Sequence, residues 1–247
     1  METFWIKPKL YFGPEPMAAL DRLAGKRVLI VTDAFLASSG LLDRVKNRLT
    51  GAVEIFDQVE PDPSLRLVAQ GVRMLRDFGP DAVVAFGGGS PMDCAKGMCW
   101  FSDRHPPLWC IPTTAGTGSE VTSFAVLTDT DQGVKYPLVE EDLLPEAAIL
   151  DASLLEGVPP HVTADTGMDV LTHAAEAVAA KGASPFSDAL AEKAFALAYR
   201  RLPEAHAGSR EAKQDMLLAS CMAGMAFNAA GLGVCHSMAH ALGGRFH

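Results

Sequence analysis

Apolar residues fall in two rhythms along roughly the first 150 positions. Short runs of β-branched and aliphatic side chains, Arg27 to Val31, Ala52 to Phe56, Asp81 to Phe86, Leu108 to Ile111 and Ser123 to Leu127, predict strands. Helical patterns lie between or before several of them, over Glu15 to Leu23, Leu41 to Leu49, Ser64 to Phe78 and Pro91 to Phe101. In Ser64 to Phe78 the apolar positions Leu65, Val68, Val72 and Leu75 recur every three or four residues and so share one helical face. Strand alternating with helix predicts the α/β class: a mostly parallel sheet covered by helices.

Past Asp151 the strand rhythm ceases. Thr163 reads as the cap of a helix reaching about Ala180, Ser184 with Pro185 opens a second to about Leu202, and Ser209 opens a third to about Ala230. The third carries Ala219, Ser220, Ala223 and Gly224, small side chains suited to close packing on every side. Residues Gly231 to His247 enter a further helix. The break divides the chain into an α/β part, residues 1–155, and an all-helical part, residues 156–247.

Composition narrows the class of protein. The 247 residues are 49% apolar, with a net charge of −9 and a mean hydropathy of +0.14. Such a chain can bury a full core, which excludes a disordered or fibrous protein, and its acidic balance argues against a nucleic-acid surface. The five cysteines are an odd number without a CxxC pair, so neither a disulfide framework nor a thiolate zinc site is signalled, and a reducing, cytoplasmic setting is expected. No stretch of about 18 apolar residues would make a membrane span.

Two loops carry the first chemistry. Gly87-Gly88-Gly89-Ser90-Pro91-Met92-Asp93 follows the clearest strand and opens a helix. The glycines let a ligand approach the backbone, while Ser90 as cap, Pro91 at the first helical position and Asp93 closing a capping box would present a helix N-terminus to phosphate. The pattern is not GxGxxG, and a glycine-rich turn with only structural duty is the alternative. The second loop, Pro112 to Glu120, is rich in threonine, serine and glycine donors, and two such loops at strand ends suit a dinucleotide. Asp33, at the end of a predicted strand, is either a helix cap or a ribose acceptor that repels a 2′-phosphate and so favours NAD over NADP.

In the helical part Asp169 and His173 stand at i and i+4, and His236 and His240 repeat that spacing. A carboxylate with imidazoles suits Fe(II) or Zn(II) and leaves room for a substrate oxygen. The alternatives are a buried hydrogen-bonded His236 and a helix-terminal cation at His240 beside Gly243.

Four ordered motifs, GGGSPMDCAK (Gly87 to Lys96), PTTAGTGSEVT (Pro112 to Thr122), DTGMDVLTHAAEA (Asp165 to Ala177) and GLGVCHSMAHALGG (Gly231 to Gly244), resemble the iron-containing, or group III, alcohol dehydrogenases. Within that family TGMDVLTHAAEA followed by SPFSDALAEKA is most similar to the 1-propanol and ethanol dehydrogenase branch. The resemblance implies an NAD-binding α/β domain over residues 1–155 and a helical metal and substrate domain over residues 156–247. It implies hydride transfer between short-chain primary alcohols and aldehydes such as 1-propanol and propionaldehyde or ethanol and acetaldehyde. Its cofactors would be NAD and Fe(II), with Zn(II) as the alternative occupant of a purified sample.

Carried onto matching positions, the resemblance assigns Asp33 to the adenosine ribose and Gly88, Gly89 and Ser90 to the pyrophosphate. It assigns Thr113, Thr114 and Thr122 to the cofactor lining, Lys135 to the nicotinamide-side ribose, Asp169, His173 and His236 to the metal, and His240 to the substrate region as the catalytic histidine. It implies a homo-oligomer in full-length form and makes a bacterial microcompartment a candidate setting, although Met1 to Pro8 shows no evident amphipathic encapsulation helix; the acidic charge and the lack of a long apolar run predict no nucleic-acid or membrane partner. Family members continue to a Pro-His segment whose histidine is a fourth ligand. The chain therefore reads as C-terminally truncated, with His247 as a poor substitute, and the competing expectation is an inactive cofactor-binding fragment or an interaction partner in a larger assembly.

Overall fold

The computed structural model describes residues 4–246, and the reading of His247 as a ligand falls outside them. Contacts group the chain into two units: Pro8–Pro112 with Ser123–Asp151, and Met1–Lys7 with Thr113–Thr122 and Ala152–His247. The threonine-rich loop thus groups with the helices.

The first unit holds β1 (Lys9–Tyr11), β2 (Val28–Val31), α1 (Ala34–Ser38), α2 (Asp43–Lys46), β3 (Val53–Phe56), α3 (Leu65–Phe78), β4 (Ala82–Gly87), α4 (Gly89–Trp100) and β5 (Leu108–Pro112), followed by β6 (Phe124–Asp129), β7 (Val134–Val139) and β8 (Ala147–Ile149). Six strands form one parallel sheet in the order β1-β8-β5-β4-β2-β3, and β6 pairs antiparallel with β7 in a separate hairpin. Strands β2, β4 and β5 are buried along their whole length, as expected of a parallel sheet covered on both faces. Of the α3 face predicted from periodicity, Val68, Val72 and Leu75 join Leu29, Val83, Met98 and Leu127 in one core cluster, whereas Leu65, the first residue of the helix, is exposed.

Strand order reverses between β2 and β4, the switch point at which open α/β sheets bind ligands outside the strands' carboxyl ends. Asp33 follows β2 as the cap of α1, and the glycine run starts at Gly87, the last residue of β4. Behind this edge α4 grips the hairpin: buried Lys96 donates from Nζ to the Phe124 carbonyl at 2.7 Å, and an Asp93 carboxylate oxygen accepts from Val126 N at 3.0 Å.

The second unit contains α5 (Pro160–Ala179), α6 (Pro185–His206), α7 (Arg210–Ala230) and α8 (Val234–Phe246). Ser184 and Ser209 cap α6 and α7 as predicted. Helix α7 is buried nearly all round, and its glycine meets the threonine-rich loop directly. A Cβ at Gly118, whose φ is +62°, would lie 2.8 Å from Gly224 Cα. Buried Lys213 on α7 donates to the carbonyls of Leu155, Glu156 and Val158 at 2.8, 3.1 and 3.4 Å, tying the entry to α5. Among the described residues no single helix is long and apolar enough to cross a membrane.

Two local expectations need correction. Gly88, not Ser90, is the N-cap of α4, because the extended backbone persists only to Gly88, so Ser90 and Pro91 sit inside the first turn. Asp93 accordingly bonds the hairpin instead of closing a capping box. Thr163 lies within α5, which Pro160 starts, and its hydroxyl donates back to the Pro159 carbonyl at 3.2 Å.

Candidate functional site

Asp169, His173 and His236 come together. The first two project from one face of α5 by their i, i+4 spacing, and His236 enters from the first turn of α8. Asp169 Oδ1 lies 3.7 Å from His173 Nε2 and 3.4 Å from His236 Nε2, and one donor atom from each residue falls within 4.8 Å of the others. Two imidazole nitrogens and one carboxylate oxygen at this separation form a donor set that fits Fe(II) or Zn(II).

The surroundings hold the rings in place. His173 is buried and stacks on Phe227 and on His236, with both centroid separations 4.4 Å. Burial pushes His173 down to about 4 against the raising influence of Asp169, so it is neutral, with a lone pair to offer, at ordinary pH. Its Nδ1 makes no hydrogen bond of good geometry, although the Gly116 backbone is close enough to favour the proton. His236 behaves in the opposite way. Burial would lower it, but hydrogen bonds and charge from Asp169 and Glu176 outweigh that and raise it.

Glu176 is the residue that sequence reasoning missed. Its Oε2 lies 2.5 Å from His236 Nδ1, and Oε1 accepts from Cys235 N at 2.7 Å. The available signal was its place on α5, three residues beyond His173 on the stripe that starts at Asp169. What spacing could not supply was the pairing with a helix 60 positions away.

His240 stands apart from the three donors. It is exposed, and its ring centroid is 6.3 Å from that of His236, one helical turn earlier.

The expected cofactor residues divide between the two units. In the first, Asp33 caps α1 by accepting from Leu36 N at 2.8 Å through Oδ1. Gly88, Gly89 and Ser90 form a helix N-terminus without a side-chain cap, leaving backbone N–H groups for an anion. Gly87 makes the cradle: its φ is +153°, and a Cβ there would stand 2.6 Å from Pro91 Cγ and 3.3 Å from Leu36 Cδ1. These features fit a dinucleotide phosphate. Lys135, on β7, pairs with Asp62 at 2.7 Å. In the second unit Thr113 and Thr122 are buried and Thr114 is half-buried.

Residues 7–152 match the family model described as iron-containing alcohol dehydrogenase, and residues 163–247 match that of the Fe-containing alcohol dehydrogenase family, C-terminal. The chain is 48% identical over 255 residues to the 1-propanol dehydrogenase PduQ of Salmonella typhimurium, covering all of this chain and 69% of that protein. Among solved structures, a 1,3-propanediol oxidoreductase superimposes with a TM-score of 0.92 at 40% identity, over 100% of this chain and 71% of that one. The sulfoacetaldehyde reductase of Bifidobacterium kashiwanohense, in complex with NAD+, gives 0.91 at 32% identity, over 98% and 71%.

Proposed function

The chain belongs to the iron-containing alcohol dehydrogenase family, and from that premise we propose that it moves hydride between short-chain primary alcohols and their aldehydes with NAD and Fe(II). The candidate pairs are 1-propanol with propionaldehyde and ethanol with acetaldehyde. The observation that carries the reading is the convergence of Asp169 Oδ1, His173 Nε2 and His236 Nε2. Likeness to a 1-propanol dehydrogenase supports the alcohol class, and likeness to an NAD+ complex supports the cofactor.

Asp169, His173 and His236 would hold the metal. Gly88, Gly89 and Ser90 would hold the pyrophosphate, Asp33 the adenosine ribose, and Lys135 the nicotinamide-side ribose, with Thr113, Thr114 and Thr122 lining the cofactor. When bound, the ferrous ion supplies a Lewis acid for the substrate oxygen and NAD the ring that accepts or returns hydride. The two imidazoles and the carboxylate orient that acid. Phe227, stacked on buried His173, keeps bulk water from that imidazole. Oxidation of an alcohol also releases its hydroxyl proton, which exposed His240 would exchange with solvent.

Homo-oligomerisation and microcompartment association rest on the resemblance and are tested by sedimentation and by co-purification with shell proteins. The enzymatic reading is tested by anaerobic NADH oxidation with propionaldehyde, with and without Fe(II), beside a cofactor titration. Metal-dependent turnover supports it. NADH binding without turnover favours a cofactor-binding fragment, and absence of both overturns the site assignment.

A further inference from the structure

We infer that Glu176 is the positioning residue of the metal site, holding His236 as the Nδ1–H tautomer so that Nε2 faces Asp169 and His173. The inference rests on the metal reading above and extends it to a residue that is not a ligand.

Three independent features place it. Asp169, His173 and Glu176 follow one another at four and three residues along α5, so all three side chains line one stripe. The Glu176 side chain is nine-tenths buried, and its carboxylate spans two functions: Oε1 accepts from Cys235 N at 2.7 Å, and Oε2 faces His236 Nδ1 at 2.5 Å and His236 N at 3.4 Å. Those backbone donors belong to the first turn of α8, so the carboxylate does the work of an N-cap from another helix. The third feature is Gly233, at the cap position itself. A Cβ there would stand 2.7 Å from Glu176 Oε1 and 3.1 Å from its Cδ, so only glycine leaves the carboxylate room to reach the helix end.

The consequence is chemical as well as structural. A carboxylate acceptor at Nδ1 keeps the proton on that nitrogen and the lone pair on Nε2, fixes the ring plane, and makes the imidazole a better donor. Since the same carboxylate also accepts from the two backbone N–H groups that lead into the ring, those of Cys235 and His236, the position of the α8 N-terminus and the aim of His236 are set together.

The test uses the full chain and Co(II) as a spectroscopic probe, comparing the unsubstituted protein with E176Q, E176A and H173A. Glutamine keeps the size of the side chain and can still accept from the backbone but lacks the charge. The expected result is a 10- to 100-fold loss of Co(II) affinity in E176Q, with an altered visible d–d spectrum and retained far-ultraviolet circular dichroism. Should E176A fail to fold, E176Q decides. If the unsubstituted protein and H173A both fail to bind Co(II), the metal reading itself falls. If the unsubstituted protein binds, H173A does not, and E176Q matches the unsubstituted protein in affinity and spectrum, the positioning role is overturned while the metal site stands.

Discussion

The imidazole of His173 lies against the ring of Phe227, centroids 4.4 Å apart and planes 27° from parallel. That contact fixes the ring from behind and dries it. Replacing Phe227 with Ala should cost about 3–5 kcal/mol, the usual price of an emptied aromatic core position. It should also admit water to His173, letting its pKa climb from about 4 toward the ordinary 6.5. Phe227→Leu should keep much of the stability and the depressed pKa. Urea unfolding and an NMR titration of the ring measure both effects, and an unmoved His173 pKa in Phe227→Ala would refute the desolvation account.

Gly224 tests the seat of the threonine-rich loop on α7. A methyl there would stand 2.8 Å from Val121 Cγ2, 3.0 Å from Gly118 O and 3.1 Å from Gly118 Cα. Alanine improves an exposed helix interior by about 1 kcal/mol over glycine, but overpacking typically costs about 1–3 kcal/mol. Two of the three neighbours are backbone atoms that cannot rotate away, so overpacking should win. Gly224→Ala should therefore lower stability in denaturant, and a stabilised variant would show that the loop yields freely.

Asp33 separates a local role from a ligand role. Its Oδ1 caps α1, so Asp33→Ala should cost about 1 kcal/mol. Asp33→Ser, which can still cap, should retain most of the stability yet lose the charge that repels a 2′-phosphate. The expected outcome is a fall in the preference for NADH over NADPH of about tenfold, roughly 1.4 kcal/mol, in both variants. Fluorescence titration with the two cofactors reads it directly, and an unchanged ratio would confine Asp33 to capping.

How far the sequence foretold these sites depended on the range of the forces involved. Strands β2 to β6 were legible because β-branched and aliphatic side chains mark them, in unbroken runs along buried β2, β4 and β5 and in partial alternation along β3 and β6. Strands β1 and β8 escaped because Lys9–Tyr11 and Ala147–Ile149 are three residues each and alanine carries little β signal. β7 escaped because Pro137 interrupts it, a residue tolerated where the ribbon has only one partner. Asp169 and His173 announced themselves through helical spacing. Glu176 lies on the same stripe, but its meaning depends on Cys235 and His236, and no local pattern encodes that meeting. The misplaced α4 cap has the same origin: Asp93 suits a capping box in isolation, whereas in the folded chain the Val126 N–H claims its carboxylate.

Metal uptake should carry the imprint of the two unlike histidines. Coordination requires both imidazoles as free bases. His173 is held down at about 4, chiefly by burial, and therefore competes with no proton above roughly pH 5. His236 is raised above 6.5 because Asp169 and Glu176 outweigh its burial, so in acid solution a proton must leave before the metal enters. The signs then give a window. Between roughly pH 5 and 6.5 the logarithm of the metal affinity should rise by about one unit per pH unit, with release of one proton per metal bound. Below about pH 4 the slope should steepen toward two as His173 also protonates. Above the raised His236 pKa it should flatten. Two unperturbed histidines would instead give a slope approaching two throughout the region below 6. Calorimetric titration with Zn(II) in buffers of different ionisation enthalpy counts the protons, and release of two per metal at pH 5.5 would refute the asymmetry.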